Sequence, residues 1–183
     1  MVDLWTISLD VPCLVLLSPD EAERAERFRF EADRVRWSRA RSSLRRVLAR
    51  YTDAVEFTYG EHGKPALVRS DAGIHFNLSH AGEFAMIAVT ADAPVGVDIE
   101  RIRPEVAIAK LLERLGERDL PAGIDKLYAR WTQREAMSKA VGGPLFTAPP
   151  DDVYAMAVKA PAGYAAAVAL RGRVPVIRTC EIA

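Results

Sequence analysis

Apolar and polar residues alternate strictly from position 95 to position 100. Val95, Val97 and Ile99 fall on one side, and Gly96, Asp98 and Glu100 on the other. A period of two predicts a strand. Asp98 and Glu100 then share a face, about 7 Å apart along the backbone. Alternation also predicts strands over 55–59, 74–79 and 84–90. Residues 4–17 are mixed and apolar and predict one or two strands broken at Pro12. Near the end of the chain, 153–158, 164–170 and 174–177 read as strands, with Pro161-Ala162-Gly163 turning the first hairpin.

The helical signals have a different period. Ser18-Pro19-Asp20-Glu21 is a helix start, with Ser18 as N-cap, Pro19 at the first position and Glu21 completing a capping box. That helix runs to about residue 29. A second spans about 32–51, with Trp37, Ala40, Leu44, Val47, Leu48 and Tyr51 on one stripe. Its other faces carry Arg34, Arg36, Arg39, Arg41, Arg45, Arg46 and Arg50. Most of these are a solvated face. Like charges at i,i+4, such as Arg41 and Arg45, oppose each other, so one or two are expected to meet an anion. Further helices cover about 105–115 and 124–141, separated by Pro121-Ala122-Gly123, and the last stops at Gly142-Gly143-Pro144. On it Trp131, Glu135 and Lys139 share a face. In isolation that is an ordinary Glu–Lys surface pair beside a half-buried Trp.

Composition narrows the field. The chain has 183 residues, half of them hydrophobic, which suits one compact unit or two small halves sharing a core. Lys and Arg number 25 and Asp and Glu 25, so no global charge draws nucleic acid or a membrane, and an anion site must be local. Cys13 and Cys180 match no metal motif and make no disulfide framework. The first basic residue is Arg24, and the longest apolar run, 11–17, is far short of a membrane span. A soluble cytoplasmic monomer is the expectation.

Two acids on one face of an apolar strand repel each other and resist burial, and a shared cation removes both costs. Mg²⁺ suits the position, because it takes hard oxygen ligands and needs only one or two protein carboxylates beside phosphate and water. The plainer alternative is a strand with one wet face. Gly60-Glu61-His62-Gly63-Lys64-Pro65 is a loop in which Gly63 permits close backbone approach and Lys64 is a point charge suited to phosphate. Alone it reads as a turn. Asn77, Ser79 and His80 put hydrogen-bonding groups at a strand end. Ser79 and His80 are adjacent on a strand and point to opposite faces, which argues against a nucleophile–base pair.

Four stretches taken together resemble the Sfp-type phosphopantetheinyl transferases. They are Gly63-Lys64-Pro65, Phe76-Asn77-Leu78-Ser79-His80, Gly96-Val97-Asp98-Ile99-Glu100, and Trp131-Thr132-Gln133-Arg134-Glu135-Ala136-Met137-Ser138-Lys139. Order and spacing both fit, over about residues 18–145. The resemblance implies an α+β fold of two similar halves related by a pseudo-two-fold, 1–93 and 94–183, with the active site in the cleft between them. It implies transfer of the 4′-phosphopantetheine arm of coenzyme A to a serine of an apo acyl or peptidyl carrier protein, releasing adenosine 3′,5′-bisphosphate. Asp98, Glu100 and Glu135 would hold Mg²⁺, with Mn²⁺ the other candidate. Lys139 would reach the diphosphate. Lys64 and Arg41 would bind the phosphates of the adenosine moiety, in the loop that carries Gly63 and Pro65 and on the second helix. Asn77, Ser79 and His80 would face the substrate, the last two donating to phosphate. Glu135 is the candidate to take the serine proton.

Departures from the family pattern bear on docking. Arg134 stands where Lys is frequent, which keeps the charge and changes its geometry. Leu111-Leu112-Glu113-Arg114 replaces a frequent Phe-Phe-Ser segment, and the C-terminal tail is brief. Two other functions fit the motifs less closely. One is a Mg²⁺-dependent hydrolase of a nucleotide diphosphate, told apart by consumption of coenzyme A without a carrier. The other is a non-catalytic module binding coenzyme A or a carrier, which predicts loss of a metal ligand where none is lost.

Overall fold

The computed structural model describes residues 1–60, 65–68, 73–104, 106–144, 148 and 150–181. In chain order its elements are β1 (Val2–Ser8), α1 (Pro19–Glu26), α2 (Glu31–Leu48), β2 (Phe57–Tyr59), β3 (Pro65–Leu67), β4 (His75–Ala81) and β5 (Phe84–Thr90). There follow β6 (Val95–Arg101), α3 (Ile108–Arg114), α4 (Ile124–Val141), β7 (Val153–Val158), β8 (Tyr164–Arg171) and β9 (Ile177–Cys180). The mixture of helices and mostly antiparallel sheets bears out the α+β class. Among the described residues no helix is long and apolar enough to cross a membrane.

Four layers follow from where each strand sends its alternate side chains. One sheet has the order β4-β5-β1-β9, with only β9 parallel to its neighbour; another has the order β6-β8-β7. On β5, Ala85, Ile87 and Val89 meet Leu44, Val47 and Leu48 of α2. The intervening Met86 and Ala88 turn the other way, against Val95, Val97 and Ile99 of β6 and Val168 and Leu170 of β8. The far face of β8, through Ala167 and Ala169, receives Ala136 and Ala140 of α4. A sheet buried on both faces needs nearly continuous apolar strands, which is why β5 and β8 carry so few polar residues.

The face under α4 is built from small residues. Gly96, Asp98 and Glu100 of β6 lie opposite Ala169, Ala167 and Ala165 of β8. A Cβ on Gly96 would stand 2.0 Å from the Ala136 carbonyl oxygen and 2.6 Å from the Ala140 nitrogen. The glycine therefore sets how closely α4 lies on β6. Gly96→Ala is expected to lower the unfolding free energy by about 1–3 kcal/mol, because the obstacle is backbone and the helix must shift as a body. A reduced urea midpoint checks it.

Some boundaries differ from the sequence reading. Residues 9–18 form no strand beyond β1; Arg39 donates to the Leu9 carbonyl at 2.7 Å and the Leu16 amide to Ser42 Oγ at 2.8 Å. Pro12 lacks a donor, side chains of α2 take backbone groups of Leu9 and Leu16, and Leu14 is 73% exposed. The last strand lies at Ile177–Cys180 rather than 174–177, because its parallel register with β1 begins at Ile177 beyond Pro175. Helix α2 ends at Leu48; Arg50 and Tyr51 bond three residues back, in a tightened last turn. Helices α1 and α3 are shorter than read, and β4 extends through His80 to Ala81.

Candidate active site

Strand β6 supplies the centre. Its apolar positions are taken by the inter-sheet core, so Asp98 and Glu100 must face α4. Asp98 is only 2% exposed. Its Oδ1 accepts from Lys139 Nζ of α4 at 2.5 Å and from Ser79 Oγ of β4 at 3.0 Å. Its Oδ2 is buried and has no hydrogen-bond partner among the described residues. A buried carboxylate oxygen without a donor is expensive.

Two further acids share this surplus of negative charge. Burial raises the Glu100 carboxyl to about 6, with the Asp98 and Glu135 charges adding and the Lys139 ammonium opposing. Glu135 is also raised, first by burial, with Asp98 adding and Lys139 opposing. The charges of all three acids thus act on one locality faced by one lysine, drawn from two segments 35 residues apart in sequence. Among the described residues no three Asp, Glu, His or Cys side chains converge as a finished metal cage. Mg²⁺ does not require one, since water and phosphate complete its shell. The donor set is hard oxygen throughout, and Asp98 Oδ2 supplies a ligand atom with no other partner among the described residues. The residues fit such an ion.

Asn77 and Ser79 do work that spacing alone did not reveal. Asn77 Oδ1 accepts the Val97 amide at 2.9 Å, and Ser79 Oγ accepts the Ile99 amide at 3.4 Å and Lys139 Nζ at 3.1 Å. These side chains bond β4 to the open edge of β6, where no ladder joins the two sheets. The only signal available was their i,i+2 placement on one strand face. His80, next along, is open to solvent, yet crowding by surrounding atoms and the Lys139 ammonium hold its imidazole below the usual value.

The remaining predicted residues lie apart from this cluster or beyond the described chain. Gly63 and Lys64 lie outside the described residues, and Pro65 opens β3. Arg41 is buried on α2; it donates to Glu21 at 2.9 Å and to the Tyr59 hydroxyl at 2.6 Å. Arg45 donates to the same Glu21 at 2.7 Å. Glu21 is 1% exposed. Burial pushes its carboxyl up, but the Ser18 amide and the Arg45 and Arg41 guanidiniums outweigh it and hold it below the ordinary range. The anion expected near Arg41 and Arg45 is, in part, this internal one. Trp131 packs beside Leu112 and Tyr128, where it seats α3 on α4. Arg134 faces a cavity of about 370 Å³ shared with Glu117, Arg130 and Tyr154. A groove of about 500 Å³ lined by Leu4, Met156, Val158 and Ile177 contains none of the candidate residues.

Comparison with known proteins agrees with the motifs. A family model described as 4′-phosphopantetheinyl transferase, N-terminal, matches residues 9–92. The 4′-phosphopantetheinyl transferase HetI of Nostoc sp. is 35% identical over 162 residues, covering 77% of this chain and 68% of that protein. The 4′-phosphopantetheinyl transferase psf-1 of Bacillus pumilus is 36% identical over 137 residues, covering 69% and 58%. The 4′-phosphopantetheinyl transferase AcpT of Escherichia coli K12 is 34% identical over 119 residues, covering 60% and 59%. The match spans 64% of the length of a further relative from Synechocystis sp., so this chain corresponds to about three fifths to two thirds of these proteins. The resemblance carried by the four motifs is borne out at the level of family: this chain belongs to the 4′-phosphopantetheinyl transferases.

Proposed function

We propose that this chain, as an Sfp-type member of its family, transfers the 4′-phosphopantetheine arm of coenzyme A to a serine of an apo acyl or peptidyl carrier protein, in a Mg²⁺-dependent reaction. The observation that carries this is the meeting of Asp98 with Lys139 under a buried carboxylate oxygen that has no partner among the described residues. Asp98, Glu100 and Glu135 would hold the ion, with Mn²⁺ an alternative. When bound, it would neutralise the diphosphate oxygens as a Lewis acid.

The chain's own groups supply positioning and proton transfer, which phosphoryl transfer chiefly requires. The serine oxygen attacks the phosphorus that bears pantetheine. The bond from that phosphorus to the bridging oxygen breaks, and adenosine 3′,5′-bisphosphate leaves. Glu135 takes the serine proton; a carboxyl raised by burial is a better base than an ordinary one. Lys139 bonds the diphosphate. Lys64 takes the 3′-phosphate and His80 donates to phosphate. For Arg41 the reading is narrower. Two guanidiniums on one carboxylate leave positive charge at that end of α2, which attracts the adenosine phosphates without direct contact.

We also read the chain as two related halves, 1–93 and 94–183, with the site at their seam. Support comes from α2 packing on the first sheet, α4 on the second, and Asn77 and Ser79 bonding β4 to β6, with β9 of the second half crossing back to pair with β1 in the first sheet. Free Cys13 and Cys180 support a cytoplasmic location, and we read the chain there as a monomer.

Incubation with coenzyme A, Mg²⁺ and a panel of apo carriers is expected to add one phosphopantetheine to at least one of them, read by mass spectrometry. Loss of coenzyme A without any carrier gaining mass would favour hydrolysis instead. Glu135→Gln is expected to slow the chemical step while metal still binds; an unchanged single-turnover rate would remove Glu135 from the role of base.

A further inference from the structure

Lys139 is bonded to the carboxylate that would hold a metal ion, on its other oxygen. Its ammonium lies 2.5 Å from Asp98 Oδ1 and 3.1 Å from Ser79 Oγ. Asp98 is almost wholly buried, whereas Lys139 is 31% exposed and so has a way out. We propose that Lys139 is a placeholder: it neutralises Asp98 when no divalent ion is bound, and it leaves for the diphosphate when ion and cofactor arrive. The inference rests on the metal reading given above.

The physical reason is the imbalance of charge. Asp98 and Glu100 lie on the face of β6 under α4, the helix that carries Glu135 and Lys139, and Lys139 bonds the buried Asp98. A buried carboxylate deprived of its partner is strongly destabilising, so a resident ammonium protects the metal-free protein. The same ammonium repels an incoming dication and draws on the charge of the carboxylate that would bind it, through Oδ1. A lysine suits this part better than an arginine, because it is a point charge on a flexible stem. Ser79 keeps Asp98 in place during the exchange, since its hydroxyl bonds Oδ1 and is itself anchored by the Ile99 amide. Coenzyme A offers the departing ammonium a new partner, so ion and cofactor strengthen each other's binding.

Titration with Mn²⁺ alone, read by loss of the free-ion EPR signal, tests this on the whole chain. Lys139→Met is expected to bind Mn²⁺ about tenfold more tightly than wild type without coenzyme A, although it transfers slowly. Lys139→Arg is expected to stay near wild type. Adding coenzyme A is expected to tighten Mn²⁺ binding in wild type and to do so much less in Lys139→Met. If folded Lys139→Met binds Mn²⁺ no better than wild type, the placeholder is wrong while the metal site stands. If no variant binds Mn²⁺ even with coenzyme A present, both fall. Should Lys139→Met fail to fold, Lys139→Gln is read in the same way.

Discussion

Asp98→Asn is expected to reduce kcat/KM by about a thousandfold or more, the equivalent of several kcal/mol of lost charge stabilisation. The substitution keeps shape and removes charge. An amide oxygen in place of Oδ1 still accepts from Ser79 and Lys139, so β4, β6 and α4 keep their contacts. The orphaned Oδ2 position becomes either an NH₂ with no acceptor or a much weaker metal ligand. Lys139 is partly exposed and has Glu135 one turn away on α4, so its ammonium re-pairs or hydrates and the chain still folds. Wild type is expected to gain thermal stability on adding Mg²⁺ with coenzyme A, and Asp98→Asn to lose that gain. Retained transfer in a folded Asp98→Asn protein would remove this residue from the centre of the site. Circular dichroism and the urea midpoint separate that outcome from simple unfolding.

The alternation at 95–100 already placed Asp98 and Glu100 on one face, and the helical period placed Glu135 and Lys139 on another. Both are local, and local periodicity survives folding wherever one face is buried. What lay beyond reach was set by contacts distant in sequence. Nothing near Asn77 or Ser79 says that the partners of their side chains are amides 20 residues away on β6. The apolar run at 11–17 has strand composition, yet it lies over α2 with several residues exposed, and Ser42 of α2 takes the backbone groups of Leu16. The family resemblance, not the helix pattern, is what points Arg41 at a phosphate. Its guanidinium meets a glutamate of the preceding helix, and how α1 crosses α2 is not written in either helix alone. The capping box was legible and correct for Glu21, whose carboxylate accepts the Ser18 amide at 3.0 Å. Its second task, holding two arginines, was not.

That second task makes Glu21→Ala the substitution with the largest expected effect on stability, about 3–5 kcal/mol. The carboxylate is almost completely buried and is met by Arg41 at 2.7 Å, with Arg45 also at 2.7 Å. Removing it strands two guanidiniums, one of them buried, with the Tyr59 hydroxyl and the Val55 carbonyl as their remaining acceptors among the described residues. It also opens the N-terminus of α1 by taking the acceptor of the Ser18 amide. Glu21→Gln keeps the volume and one acceptor oxygen, so it is expected to fall between the two. Urea unfolding should show a lower midpoint with unchanged slope for both variants. Because Glu21 holds its proton less tightly than an ordinary glutamate, its contribution is present above the usual carboxylate range and fades as the pH drops through its lowered value. The difference between wild type and Glu21→Gln should therefore shrink in strong acid, whereas a defect of packing alone would persist there.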